Sequence, residues 1–233
     1  MKKSKINIVN EFHEDYFETR FVFDEKRDVV WKEVCDHIVR KYNIPTDSRI
    51  LDLGAGYCNF INRIQAKEKY AVDIFSKMEK FADKDVISHI STCTNMPFFS
   101  DNSLDLIFTS NLFEHLTHEE LLETLSEIRR ILIPDGRLII LQPNFKYCYK
   151  TYFDDYTHLQ IFTDMGMYDL LEMANFQIED MVPRFLPVNM KSTLRYNLPK
   201  LGLLVKFYLH FPFKPLGGQF LAVARNNNST TMD

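Results

Sequence analysis

One stretch constrains the fold of this chain more than any other: Arg49-Ile-Leu-Asp-Leu-Gly-Ala-Gly-Tyr-Cys-Asn-Phe60. A short apolar run, Ile50 to Leu53, ends in Gly54 and Gly56 and is followed by Phe60, Ile61 and Ile64 at helical spacing. The pattern predicts a buried parallel strand over 49–53, a tight turn, and a helix over 57–64 opening above the strand end. Glycines at such a turn let a ligand approach the backbone where a Cβ would obstruct it.

Three details narrow the ligand. The third glycine of a dinucleotide fingerprint would fall at Asn59, so close helix–strand packing over a pyrophosphate is not provided. No Gly-Lys-Ser/Thr follows, which excludes a phosphate-cradling loop of that kind. Asp52 stands at the strand end, where a carboxylate suits a cationic ligand better than a phosphate. S-adenosylmethionine carries an ammonium and a sulfonium and no phosphate. Asp73, closing the next apolar run Tyr70-Ala-Val-Asp73, falls where a doubly wound fold places an acceptor for ribose hydroxyls.

With these residues in view, the sequence resembles the class I S-adenosylmethionine-dependent methyltransferases. Leu51-Asp-Leu-Gly-Ala-Gly56 is similar to that family's first motif, and Ala71-Val-Asp73 to its ribose-binding acid. Asn95-Met-Pro-Phe98, Ser103-Leu-Asp-Leu-Ile-Phe108, Glu114-His-Leu116 and Pro134-Asp-Gly-Arg-Leu138 follow in the family's order. The resemblance covers about residues 45–185. It implies a Rossmann-like, doubly wound, seven-stranded and mostly parallel sheet, with helices on both faces and an antiparallel last strand.

The chain in order agrees with that expectation. Residues 24–42 carry one apolar face, Val30, Val34, Ile38 and Val39, behind Asp24 as a cap. Strands are predicted over 49–53, 69–73, 86–90, 104–109, 137–142, 176–182 and 218–225, and helices over 57–64, 76–82, 118–132 and 163–173. Alternation of this kind argues a parallel sheet. Pro134-Asp-Gly136 reads as the turn into a strand. The chain of 233 residues is expected to be one methyltransferase domain. Its parts are an N-terminal lid or helix (1–45), a cofactor-binding core (46–183), an insertion or cap (184–217) and the last strand (218–225).

Composition argues against some partners. A net charge of −4 leaves no electrostatic footprint for nucleic acid. The four cysteines, Cys35, Cys58, Cys93 and Cys148, form no C-x-x-C pair, which suggests reduced thiols in the cytoplasm. The N-terminus lacks the apolar core, roughly 7–15 residues long, of a signal peptide. The insertion mixes Arg184, Lys191, Arg195, Lys200, Lys206 and Lys214 with Leu, Phe and Tyr, so a cap, a dimer contact or a peripheral membrane contact through 184–217 is compatible with it.

The resemblance implies that Gly54, Ala55 and Gly56 line the methionine end of the cofactor, with Asp52 facing its ammonium. Asp73 then holds the ribose, and Ile74 lies against the adenine. Where family members often read Gly-Asp-Ala, this chain has Ser91-Thr92-Cys93. Thr92 can accept a hydrogen bond, though without charge, and Cys93 is its neighbour on the adenine side. Ser110, Asn111 and Leu112 are expected at the open carboxyl end of the fourth strand. Cys58, where a third family glycine is frequent, reads as a packed small side chain.

Methyl transfer needs alignment, exclusion of water and, for a hydroxyl acceptor, a base. His115, after the fourth strand, and His158, after the fifth, are the candidates because imidazole titrates near neutrality. Asp154-Asp-Tyr-Thr-His158 resembles an acidic–His loop of sugar and envelope-glycan methyltransferases, which adds Asp155 to the catalytic set. Some methyltransferases with Glu-x-x-Glu-His bind a divalent ion. Glu114, His115 and His158 could supply ligands, but Asn111 replaces the first Glu, and no metal is expected. The expected function is O-methylation of a small hydroxylated acceptor, such as a sugar in envelope polysaccharide biosynthesis. A nitrogen-, carbon- or quinone- and lipid-directed methyltransferase, or a catalytically silent fold serving as a binding partner, remains open.

Overall fold

The computed structural model describes residue 24 and residues 26–187 and 200–227. Residues 1–23 of the expected N-terminal lid or helix, and Lys191 and Arg195 of the insertion, lie outside the described residues. Seven strands form one sheet: β1 (Arg49–Leu53), β2 (Glu68–Asp73), β3 (Val86–Ile90), β4 (Leu104–Ser110), β5 (Leu132–Pro143), β6 (Phe176–Val182) and β7 (Gln219–Asn226). Their order is β3-β2-β1-β4-β5-β7-β6. β1, β2, β3, β4 and β5 pair in parallel, and β7 runs antiparallel to both β5 and β6. This is the sheet that the resemblance implies. The chain leaves β1 toward β2 and β3, then returns to place β4 on β1's other side. Ligands of such sheets bind outside the carboxyl ends of the strands at that switch point.

The pleat divides the apolar residues between two cores. Ile50, Leu106, Phe108, Ile139, Leu141, Leu221 and Val223 face one, covered by α1 (Lys26–Tyr42). Leu51, Leu53, Ile107, Leu138, Ile140 and Phe220 face the other, covered by α2 (His118–Ile131). A further short helix, α3 (Phe145–Cys148), follows β5, and α4 (Asp164–Met173) joins the second core through Met167 and Leu171. Thr117 caps α2 in a capping box with Glu120, a contribution of about 1 kcal/mol. Leu121, Leu125, Ile128 and Ile131 each bury a side chain for roughly 1.5–3 kcal/mol. The stripe therefore holds the helix, and the cap sets where it starts.

Three expected elements differ. The helix over 57–64 is a series of turns, because Cys58 takes a left-handed backbone (φ 57°) that a right-handed helix cannot include. The helix over 76–82 shrinks to a 3-10 turn, Met78–Lys80. So short a segment is marginal as a helix, and packing among the rings of Tyr57, Phe75 and Phe81 decides its path. Finally, β5 begins at Leu132, and Pro134-Asp-Gly136 is an irregularity inside it. The pairing jumps from Leu104–Leu132 to Leu106–Arg137 around Asp135 (φ 61°).

Part of the insertion is a helix, α5 (Leu201–His210), lying on α1 with His210 edge-on to His37 at 5.2 Å between ring centroids. Leu203, Leu204 and Phe207 of α5, and Phe211, Phe213 and Leu216 beyond it, are exposed. Among the described residues, no helix is long and apolar enough to cross a membrane.

Candidate active site

The glycine turn is built for close approach. Gly54 (φ 75°) and Gly56 (φ 51°) both use the left-handed region. A Cβ on Gly54 would stand 3.2 Å from three carbons of Leu112. The N–H of Gly54 donates to Val72 O at 2.8 Å, carrying the β1–β2 pairing into the turn. The N–H of Gly56 donates to Asp73 Oδ2 at 2.8 Å, and that of Phe75 to Asp73 Oδ1 at 2.9 Å. Each carboxylate oxygen accepts more than one donor, so Asp73 secures the turn and retains acceptor capacity. Cys58 adds a third left-handed residue and is fully buried, and burial raises its thiol well above the usual range. It is a packed residue, as expected, in a glycine-like backbone state that its spacing alone did not reveal.

Asp52 is 3% exposed at the end of β1. Its one side-chain hydrogen bond among the described residues comes from Ile61 N–H at 3.3 Å. Burial, with a smaller push from Asp73, raises its pKa to about 8. A buried carboxyl with so little compensation is the complement of a cation.

The other expected cofactor residues spread along the same rim. Ile74 is exposed beyond β2. Thr92 is exposed and pairs its hydroxyl with that of Thr94 at 3.2 Å. Cys93 turns its sulfur inward, accepting from the Thr124 hydroxyl at 3.3 Å and packing on the second core. Asn111 (φ 51°) donates its N–H to Leu141 O, and its Oδ1 accepts from Gln219 Nε2 at 2.6 Å. Ser110 Oγ accepts from Asn111 Nδ2 at 3.0 Å. The structure thus brings Leu112 against Gly54 and ties the Ser110–Leu112 turn to β7, a tether through Gln219 that no spacing in the sequence announced.

Beyond this turn the carboxyl ends of β4 and β5 hold a buried polar cluster. Glu114 is 1% exposed, accepts from Gln142 Nε2, and is pushed by burial to a pKa of about 7. His115 Nε2 lies 3.9 Å from Glu114 Oε1. His115 Nδ1 meets Thr157 Oγ1 at 2.9 Å and the Thr157 carbonyl oxygen at 3.3 Å. A carbonyl only accepts, so Nδ1 carries the proton and Nε2 a lone pair. The Thr157 hydroxyl donates in turn to Asp155 Oδ1 at 2.5 Å, and Asp155, held low by Thr157 and the two histidines, is ionised. The His158 ring stands 5.0 Å from that of His115 and 4.5 Å from Tyr152. Its Nδ1 is buried without a hydrogen-bond partner among the described residues. Burial lowers the pKa of both imidazoles, so both are neutral at pH 7. His115, His158 and Asp155 therefore meet, and Thr157 and Gln142 join them. Thr157 was legible only as a neighbour of His158. Glu114, His115 and His158 present ligand atoms within 4.8 Å of one another, near enough to share a cation.

Known proteins resemble this architecture. Residues 51–140 match the family described as a methyltransferase domain. An uncharacterised protein of Methanocaldococcus jannaschii is 28% identical over 146 residues, 61% of this chain and 58% of that protein, so the match spans less than two thirds of the relative. An S-adenosylmethionine-dependent methyltransferase of Archaeoglobus fulgidus superposes with a TM-score of 0.60 at 21% identity, over 83% of this chain and 94% of that one. The methyltransferase chain of a Haloferax volcanii complex with a methyltransferase activator gives a TM-score of 0.66 at 14% identity, over 91% and 96%. The matched stretch is similar to the methyltransferase-domain family, and the chain has the fold of class I S-adenosylmethionine-dependent methyltransferases; S-adenosylmethionine is the cofactor which a domain of that family implies.

The residues present fit that cofactor. A buried, poorly compensated carboxyl at Asp52 matches its ammonium. Asp73 retains acceptor capacity for hydroxyls, and neither acid would tolerate a phosphate beside it.

Proposed function

We propose that this chain is an O-methyltransferase for a small hydroxylated acceptor, with His115 as the base and His158 beside it. The hydrogen-bond chain from Asp155 through Thr157 to His115 Nδ1 is the observation that carries this reading. It leaves Nε2 as the lone pair in a buried, neutral imidazole. An alcohol needs such a base because its proton must leave, whereas a neutral amine attacks with its own lone pair.

Bound S-adenosylmethionine supplies a methyl group already activated on a sulfonium. Asp73 holds its ribose, Asp52 its ammonium, and Gly54, Ala55 and Gly56 its methionine end. Ile74 and the Thr92–Cys93 backbone flank the adenine. Ser110, Asn111 and Leu112 position the reacting end, and Leu112 excludes water beside Gly54. His115 Nε2 takes the proton of the acceptor hydroxyl, and Asp155 stabilises the imidazolium that results.

A sugar, or a glycan precursor of envelope polysaccharide synthesis, is the acceptor class favoured by the resemblance of the Asp154–His158 loop. Exposed Tyr149, Phe153 and Tyr156 around that loop can stack on sugar faces. The chain works as one domain, with 46–183 as cofactor core and 184–217 as cap. Its four cysteines are free thiols, which supports a cytoplasmic site of action. The second reading is a lipid-directed acceptor, favoured by the exposed Leu203, Leu204, Phe207 and Phe213.

Transfer of isotopically labelled methyl groups to a panel of sugars, phenols, amines and quinols tests these readings. Label on sugar hydroxyls, lost in His115→Ala, supports the first. Label confined to amines removes it, and label on quinols moves the assignment to the second.

A further inference from the structure

Beyond the base cluster, Tyr147 of α3, Arg184 after β6 and the Phe211–Pro215 loop line an open cavity of about 570 Å³. This volume lies in the usual range of small-molecule sites, about 300–1,000 Å³. The cavity belongs to the β5–β7–β6 half of the sheet, away from the β1–β2 turn where the cofactor residues gather. Its Tyr147 wall belongs to the same short helix as Phe145, which leads toward the candidate catalytic cluster. Phe145 of α3 packs on Tyr152 at 5.2 Å, and Tyr152 packs on His158.

Two cations line it. The Arg184 guanidinium lies over the Tyr147 ring, 4.6 Å from its centroid, and its Nε and Nη2 donate to the carbonyls of Gly217 and Pro215. Those carbonyls fix the fork without neutralising its charge. A Cβ on Gly217 would fall 2.9 Å from Arg184 Cβ, so the loop lies directly on Arg184 because residue 217 is glycine. Lys214 is half-buried with Nζ 4.9 Å from the Phe185 centroid. Among the described residues its ammonium has neither an ion-pair partner nor a hydrogen bond, while its carbonyl accepts from Gly217 N–H at 2.9 Å. Burial and the charge of Lys41 hold its pKa below the usual lysine range. Lys41 itself is paired with Asp180 at 2.7 Å.

A half-buried ammonium without a counter-ion is costly, and an oxyanion relieves that cost with charge-assisted hydrogen bonds. Phe211, Phe213 and Tyr147 supply apolar walls for a ring. We infer that this cavity is the acceptor's anion subsite, receiving a phosphoryl or carboxylate group on a ring-bearing molecule through Lys214 and Arg184. The word acceptor rests on the methyltransferase reading. The anion site itself rests only on the cavity.

The probes are phenyl phosphate, benzoate and benzyl alcohol, titrated into the full-length protein, Lys214→Gln and Lys214→Arg and followed by calorimetry. S-adenosylhomocysteine is titrated in parallel. At least one anionic probe should bind, with benzyl alcohol much weaker. Lys214→Gln should lose about tenfold, the worth of one hydrogen bond to a charged group, and Lys214→Arg should retain affinity. Preference for phenyl phosphate or for benzoate identifies the oxyanion, and either supports the subsite. Equal binding of benzyl alcohol, unchanged affinity in Lys214→Gln, or failure of both anions while S-adenosylhomocysteine binds would overturn it. Anion binding without S-adenosylhomocysteine binding keeps the subsite and removes the cofactor reading instead.

Discussion

Asp73 Oδ2 accepts the backbone N–H of Gly56 at 2.8 Å, so the acid at the end of β2 shapes the turn at the end of β1. Its substitution should therefore act twice. Asp73→Ala removes charged acceptors from the ribose and strands the Gly56 N–H. S-adenosylhomocysteine affinity should fall about 10–100-fold, and stability by about 1–3 kcal/mol. Asp73→Asn keeps one oxygen and should lose less. Calorimetry and thermal melts measure the two effects, and wild-type affinity in Asp73→Ala would remove the ribose assignment.

Gly54→Ala should be worse than a usual glycine substitution. It places a methyl group 3.2 Å from Leu112 on a backbone at φ 75°. The left-handed state costs an L-residue roughly 1–2 kcal/mol before any packing strain. The melting temperature and cofactor affinity should fall together. A melt shift without loss of affinity would show that the turn recovers its shape.

Much of this was legible beforehand. Gly54, Gly56 and Asp73 announced the turn because each position demands a residue type for a backbone or charge reason. The strands were legible because a sheet covered on both faces requires apolar runs. Cys58 was harder to read, since a cysteine at φ 57° obeys no propensity and is enforced by packing. The Asp155–Thr157–His115 chain joins residues 42 positions apart, and Gln219 reaches Asn111 across 108. Such pairings are made by the sheet order, which places β7 beside β5, and local spacing carries no trace of them.

Proton linkage should be visible at Asp52 and Glu114. Both are raised by burial, to about 8 and about 7, so the folded state holds protons that the unfolded state has released. From about pH 6.5 to 8 the stability of the ligand-free protein should therefore fall, whereas below that His37, His89, His115 and His158, lowered by burial, act in the opposite sense. Asp85, Asp105, Asp155, Asp164, Asp180 and Glu127 are lowered instead, and their stabilisation is lost only as pH falls below the ordinary carboxylate range. For ligand binding the sign at Asp52 reverses. The ammonium needs the carboxylate, so binding should release a proton and weaken as pH drops below about 8. Asp52→Asn should bind weakly without that pH dependence. Calorimetry in two buffers of different ionisation heat counts the proton, and zero release in the wild type would separate Asp52 from the ammonium.

His115 is the residue on which turnover should depend. His115→Ala should lower kcat by about 10²–10⁴-fold with cofactor affinity nearly unchanged. His158→Ala should lower turnover less, because the hydrogen-bond chain from Asp155 through Thr157 ends on His115 and not on His158. The acid limb of the kcat profile should lie below the usual histidine value, since burial lowers His115. Asp155 raises His115, so Asp155→Asn should move that limb further toward acid while reducing kcat. Thr157→Val should reduce kcat by breaking the link between Asp155 and the imidazole. A chelator should leave every value unchanged, since the cluster is read as metal-free. Activity lost to the chelator and restored by magnesium, manganese or zinc would reassign Glu114, His115 and His158 as metal ligands.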